Sequence, residues 1–243
     1  GKAFVNLGAL LRVQGRLEEA HAYCTQALKI DPCDASAHIA LGNTLEAQGQ
    51  LSQAQASYYR ADMAHEPRRA VAHSNVLYLL NHDVQVEATH LFQEHLAFGD
   101  QFEKPLRSEW NRHTNDRSTD RCLKIGFVSG DFCHHALSDF LEPAFQALSV
   151  RPTLTLHAYS NNPHEDAVTE RMRGHFTKWH SVANLTDAQL TERIRADGID
   201  ILIDLSGHTA KNRLLTFARK PAPIQASWLG YLGTTGLQAI DYY

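Results

Sequence analysis

The strongest constraint on this chain is a period. Over the first 67 residues, positions 34 apart carry matching side chains. Leu7 and Gly8 recur as Leu41 and Gly42, Gly15 as Gly49, Leu17 as Leu51, Ala20 as Ala54 and Ala27 as Ala61. Pro32 recurs one place late, as Pro67. Self-similarity at this spacing demands stacked supersecondary units, each contacting its neighbours, rather than one central core. Within a unit, Leu7, Leu11, Leu17 and Leu28 supply an apolar stripe. The small Gly8 and Ala20 let two helices touch closely. Pro32 ends the second helix, because proline cannot continue one.

These features fit the tetratricopeptide pattern, two antiparallel helices per unit. Such an array presents a concave surface suited to peptides. Two units are also fewer than the three or so that an independent solenoid needs, so they could equally serve only to support the next domain. A third apolar helix, 70–80, with Val76, Leu77, Leu79 and Leu80, is expected to cap the array. Residues 84–105 read as a further helix, with Val84, Ala88, Leu91, Phe92 and Leu96 at helical spacing. The polar stretch 107–121 has no apolar period and reads as a linker. The expected domains are therefore 1–83 (repeats and cap), 84–121 (helix and linker) and 122–243.

From Leu123 the period changes. Short β-rich runs at 123–128, 153–159, 176–180, 199–205 and 224–229 alternate with helical segments at 138–148, 165–174, 186–198 and 212–218. Thr186 and Gln189 form a capping-box pair at the start of one helix, and Gly198 ends it. The run Ile199-Asp-Ile-Leu-Ile-Asp-Leu205 suits a strand buried on both faces. Strand–helix alternation of this kind predicts a parallel, doubly wound sheet. The fold class is thus helical repeats followed by an α/β lobe.

In such a sheet, reactive groups lie just past the carboxyl ends of strands. Three loops fall there: Ser129-Gly-Asp-Phe-Cys-His-His135, Ser206-Gly-His-Thr209 and the glycine-rich Gly230–Gly236. Histidine suits proton transfer near neutral pH, which makes His135 and His208 candidates; each could instead be a hydrogen-bonded structural residue. Asp131 could serve as a helix N-terminal carboxylate, and Asp204 could simply end its strand. The chain contains no GxGxxG, Walker A or GxSxG motif, which argues against dinucleotide, P-loop and serine-hydrolase sites.

Composition narrows the partners. A net charge of −4 with scattered Lys and Arg excludes a large basic face, so nucleic acid is not the expected partner. No apolar run approaches the roughly 20 residues that span a bilayer, so no membrane is expected. Cys24, Cys33, Cys122 and Cys133 lack CxxC spacing and read as reduced thiols of a cytoplasmic protein. His134-His135 lack the i, i+4 spacing of a helical metal pair, so no metal is expected. The first residue is Gly1 within a helical pattern and the last is Tyr243 just past the glycine loop; the chain reads as a fragment.

The segments LKIGFVSGDFCHHALSDFLEP, DGIDILIDLSGHT and RKPAPIQASWLGYLGTTGLQAIDYY, in that order behind tetratricopeptide units, resemble the protein O-GlcNAc transferases of glycosyltransferase family 41, which include SPINDLY-like and bacterial members. The resemblance covers nearly the whole chain. It implies a GT-B fold of two Rossmann-like lobes, of which this chain would carry the N-terminal one. It implies inverting transfer of N-acetylglucosamine from UDP-GlcNAc to Ser or Thr of proteins, with no metal and no cofactor beyond the donor. His135 would be a catalytic base or acceptor-orienting group, with His208 also catalytic. Thr209, Gly230, Tyr231, Gly233, Thr234 and Thr235 would line the donor site. Asn6 would hold acceptor peptides in the repeat groove, in an asparagine ladder interrupted at Ala40. Leu232 stands where the family usually has proline. With the second lobe missing, the fragment is expected to be inactive alone. The alternatives are a non-catalytic repeat scaffold or a related transferase using another nucleotide sugar.

Overall fold

The computed structural model describes residues 1–63 and 68–243. They form two compact units, Gly1–Leu91 and Phe92–Tyr243. Pro67, the late counterpart of Pro32, lies outside the described residues.

The first unit is built from helical hairpins. Helices α1 (Lys2–Val13) and α2 (Leu17–Ile30) form one, α3 (Ala35–Ala47) and α4 (Leu51–Asp62) the next, and α5 (Arg69–His82) packs on α4. The repeat signature has direct physical content. Gly15 and Gly49 both turn the chain between paired helices at φ +76°, a left-handed conformation that disfavours any Cβ. A Cβ on Gly8 would lie 2.8 Å from Cys24 Sγ, and one on Gly42 would run into the Tyr58 ring. Cys24 and Tyr58 occupy the same place in successive repeats. The α1–α2 seam is closed by Leu11, Ala20, Cys24 and Ala27, all buried. Leu7, expected in the apolar stripe, is instead 36% exposed, because small residues let the backbones approach and the seam needs no larger side chain there. Leu45, Ala54, Tyr58, Val76, Leu79 and Leu80 form a core that binds α5 to the second hairpin.

The division between units falls inside α6 (Ala88–Phe98). The expected helix over 84–105 is thus shorter as an α-helix. Val84 is 92% exposed, and beyond Phe98 the chain passes through a π-helical turn, Gly99–Glu103, and a 3₁₀ turn, Lys104–Glu109. The stretch read as a linker is fastened to the second unit. Trp110 Nε1 donates to the Ala218 carbonyl at 2.7 Å, and Asn115 Nδ2 donates to Asp200 at 2.7 Å. The Arg121 guanidinium clasps both Asp200 oxygens at 2.6 Å. Polar composition here reflects partners for buried groups of the lobe rather than a solvated tether.

The second unit holds a parallel sheet of β1 (Leu123–Ser129), β2 (Leu154–Ser160), β3 (Lys178–Ser181), β4 (Ile201–Asp204) and β5 (Ile224–Ser227), in the order β3-β2-β1-β4-β5. Helices α7 (Ala136–Ser149), α8 (Ala167–Arg173), α9 (Asp187–Asp197) and α10 (Leu214–Phe217) intervene. Ile125, Phe127, Leu156 and Ala158 face Leu141 and Phe145 of α7 in one apolar layer, joined by Phe132, Phe176 and Trp179. The capping box at α9 forms as expected: Gln189 N–H donates to Thr186 Oγ1 at 3.2 Å, and Thr186 N–H to Gln189 Oε1 at 2.9 Å. The chain winds outward from β1 to β3, then returns to start β4 on the other side of β1. That reversal is a topological switch point, where open α/β sheets form ligand crevices.

Candidate active site

The switch point places the loops after β1 and β4 side by side, with the loop after β5 next to them. Gly230 packs against the Leu205–Ser206 backbone so tightly that a Cβ would overlap the Leu205 carbonyl. Gly236, at φ +73°, lies equally close to the His95 carbonyl of α6. The glycine loop is therefore pressed onto the end of β4 on one side and onto α6 on the other. Tyr231 Oη lies 2.9 Å from His95 Nε2, which ties the loop to α6 a second time. Leu229, just before the loop, takes φ +66°, a conformation costing a non-glycine residue about 1–2 kcal/mol. Ser227, Trp228, Tyr231, Gly233, Thr234 and Tyr243 line an open cleft of about 390 Å³ here, a volume in the range of small-molecule sites. Leu232 projects from it at 89% exposure.

Each expected site residue has a definite place. His208 is fully buried, enclosed edge-on by Phe98 (centroids 4.6 Å apart), His95 and Tyr231, and its Nε2 lies 3.0 Å from the Thr235 carbonyl. It pins the glycine loop to the β4 loop, and its ring has no open face in this arrangement. Thr209 Oγ1 donates to the Ser206 carbonyl at 2.8 Å, closing the turn after β4. Thr234 and Thr235 hydroxyls both meet Tyr243 Oη, at 3.0 and 2.9 Å. His135 is exposed and caps α7: its Nδ1 accepts from Leu137 N–H at 3.2 Å. A ring nitrogen that accepts leaves the proton of a neutral imidazole on Nε2, so Nε2 is presented as a hydrogen-bond donor. Asn6 is exposed on α1, in the repeat unit, and Ala40 of α3 is buried.

Four further residues belong to the arrangement: Asp204 and Asp131, read from the sequence as structural, and Lys211 and His95, which the sequence did not single out. Asp204 is fully buried and accepts from Ser206 N–H (3.1 Å), Gly207 N–H (2.8 Å) and Ser227 Oγ (2.9 Å). Rather than merely ending its strand, it folds the β4 loop and ties it to β5. Burial pushes its carboxyl up, against the pull of those donors. Lys211, at φ +59°, lies against Gly130, and its carbonyl accepts from Asn161 Nδ2 at 2.8 Å. Asp131 is raised by burial, opposed by the charges of His135 and Lys211. His95 is 1% exposed and makes the Tyr231 contact above. Lysine and histidine at these positions carry no local motif; a helix read only for apolar period conceals His95.

Helical repeats leading into a doubly wound lobe, with its loops convergent at the switch point, define a repeat-bearing α/β protein with an open cleft at the strand ends. Residues 64–243 match the family Glycosyl transferase family 41, and residues 1–32 and 23–56 match tetratricopeptide repeat families. The chain belongs to glycosyl transferase family 41. It is 36% identical over 183 residues to a probable UDP-N-acetylglucosamine–peptide N-acetylglucosaminyltransferase SPINDLY of Oryza sativa, covering 73% of this chain and 19% of that protein. The corresponding SPINDLY protein of Hordeum vulgare is 35% identical over 181 residues, with the same coverage. A point mutant of the Thermobaculum terrenum O-GlcNAc transferase superposes with a TM-score of 0.88 at 36% identity, covering 99% of this chain and 46% of that one. The chain thus spans about a fifth of the length of the curated relatives it matches.

Proposed function

We propose that the protein to which this chain belongs transfers N-acetylglucosamine from UDP-GlcNAc to Ser or Thr hydroxyls of proteins. Its relatives carry names of that activity, and the observation that supports it most is the convergence of the loops after β1, β4 and β5 at the switch point. Sugar transfer to a hydroxyl needs an oriented acceptor and charge relief at the departing diphosphate. Tyr231, Gly233 and Thr234 border the cleft and supply hydroxyl and backbone N–H groups for the donor, while Thr235, fully buried and hydrogen-bonded to Tyr243, holds the loop rather than lining the cleft as expected. His208 is a positioning residue that holds Thr235 in line. His135, with its proton on Nε2, orients the acceptor or a donor oxygen; acting as a base through Nε2 requires the other tautomer and loss of the Leu137 contact. Asn6 on the repeat unit contacts acceptor polypeptide. No cofactor beyond the donor is needed, and the reading places the protein in the cytoplasm. The four cysteines are all free, and among the described residues no helix is long and apolar enough to cross a membrane.

The test uses the intact polypeptide with isotope-labelled UDP-GlcNAc and a protein extract. His135→Ala should lower turnover by roughly 10²-fold or more with UDP affinity nearly unchanged. His135→Gln, which keeps a donor amide, should retain more turnover than His135→Ala if orientation is the role, and no more if proton abstraction is. Full transfer in His135→Ala would remove the residue from the mechanism. No transfer by the wild type, with UDP still bound, would point to another sugar. The isolated 243 residues should neither transfer sugar nor show saturable UDP binding.

A further inference from the structure

On the sheet face that carries α9, three residues from separate elements meet: His157 of β2, His180 of β3 and Asp197, the last residue of α9. One ring nitrogen or carboxylate oxygen from each lies within 4.8 Å of the other two. His157 is 98% buried, and its Nδ1 has no hydrogen-bond partner. His180 Nε2 is likewise buried without a hydrogen bond, although it faces Asp197 Oδ2 at 3.3 Å. The His180 side chain as a whole is 17% exposed, but buried, orphaned nitrogens on two adjacent histidines are uncommon, because an unmade hydrogen bond leaves the desolvation cost uncompensated.

We propose that His157, His180 and Asp197 form a binding site for one divalent transition-metal ion of the zinc type. Imidazole nitrogen and carboxylate oxygen are suitable ligands for such an ion. In a tetrahedral site with bonds of about 2.0–2.1 Å, ligand atoms stand about 3.3 Å apart. The His180–Asp197 pair already has that separation, and closing on His157 from within 4.8 Å asks for a shift of at most about 1.5 Å. The surroundings fix the ligands as an outer shell does. Tyr159 Oη donates to the same Asp197 Oδ2 at 2.9 Å, and the Tyr159 ring stacks on His180 with centroids 5.0 Å apart and planes 12° apart. Gly126 makes room, since a Cβ there would stand 3.1 Å from the Tyr159 ring. Two cations compete. Lys178 Nζ lies 3.6 Å from Asp197 Oδ1, but on the oxygen turned away from His180, and its side chain is 54% exposed and free to swing out. Lys124 Nζ takes the Asp197 backbone carbonyl, leaving the carboxylate alone. Histidine spacing along the chain gives no hint of the site, because residues 157, 180 and 197 come from three elements. The site shares no residue with the three loops of the cleft, and its role is to clamp β2, β3 and α9 together.

Metal-stripped 243-residue chain titrated with Co²⁺ should take up one ion with the strong visible bands of four-coordinate cobalt, and Zn²⁺ should displace it. His180→Phe keeps the stack on Tyr159 and should abolish the bands. Asp197→Asn, which retains an oxygen for the Tyr159 contact, should weaken binding by about tenfold or more, and Tyr159→Phe by about tenfold. Zn²⁺ should raise the thermal midpoint of the wild type and leave that of His180→Phe unmoved. The proposal is overturned if the wild type takes up no Co²⁺ at micromolar concentrations, or if His180→Phe and Asp197→Asn bind as the wild type does.

Discussion

Glycine does different work in the two units. In the repeats, Gly8 and Gly42 lie under side chains, Cys24 Sγ and the Tyr58 ring. In the sheet lobe, Gly230 and Gly236 lie against backbone carbonyls, those of Leu205 and His95. A side chain can rotate or be trimmed by mutation; a carbonyl in a strand end or helix cannot. The repeat unit therefore tolerates drift at its seams, which is how successive repeats differ at Cys24 and Tyr58. The lobe loop is locked to two elements at once and has no equivalent freedom.

The contrast is steepest at Gly236. Gly236→Ala should destabilise the lobe by about 3–5 kcal/mol, since a left-handed φ and overlap with backbone act together. Urea unfolding measures the loss. Alkylation locates it: Cys133, in the loop after β1, should react faster in this variant, while Cys24, fully buried in the α1–α2 seam with its thiol raised by burial, should not. Faster labelling of Cys24 would mean that the two units open together.

Gly42→Ala should cost about 2–3 kcal/mol. Tyr58 is fully buried, and its single hydroxyl proton is shared between Asn43 Oδ1 and Glu46 Oε2, at 2.7 and 2.8 Å, so the ring cannot yield without disrupting that contact. Here Cys24 should become the faster-labelled thiol and Cys133 should stay as it was. Gly49→Ala has nothing within 4 Å to collide with, and only its φ of +76° opposes the change. About 1 kcal/mol is expected, and Gly49→Asn, which tolerates that conformation, should recover part of it.

The two units also differ in how far their sequences could be read. Array packing is local, so a 34-residue period exposes Gly8, Gly15, Ala20 and their partners; the exposure of Leu7 and Val84 is hidden because it depends on how closely the backbones approach and on where α6 begins. The strand–helix alternation of the lobe was equally legible, and the Thr186–Gln189 capping box formed as read. Its site was legible only as loops. That His208 would be sealed among Phe98, His95 and Tyr231, or that Asp204 would organise the turn after it, depends on contacts across more than a hundred residues or on burial, neither of which leaves a local pattern. The same holds for residues 107–121, whose polar side chains looked solvated until Asp200 and the Ala218 carbonyl were found beneath them.

The smallest effect separates side-chain from backbone obstruction most cleanly. Gly8→Ala inserts a methyl group 2.8 Å from Cys24 Sγ and 3.3 Å from the Ala20 carbonyl. Helix propensity favours alanine by about 0.5–1 kcal/mol, while displacing one buried sulfur costs about 1 kcal/mol or slightly more. A net loss of about 0.5 kcal/mol is expected. In a Cys24→Ala background the sulfur is gone and only the mild approach to the Ala20 carbonyl remains, so the same substitution should become stabilising by about 0.5 kcal/mol. A double-mutant cycle on urea midpoints reads the change of sign directly. Persistent destabilisation without the sulfur would assign the tightness to the backbone, as at Gly230 and Gly236, and the distinction between the two units would fail at its most favourable position.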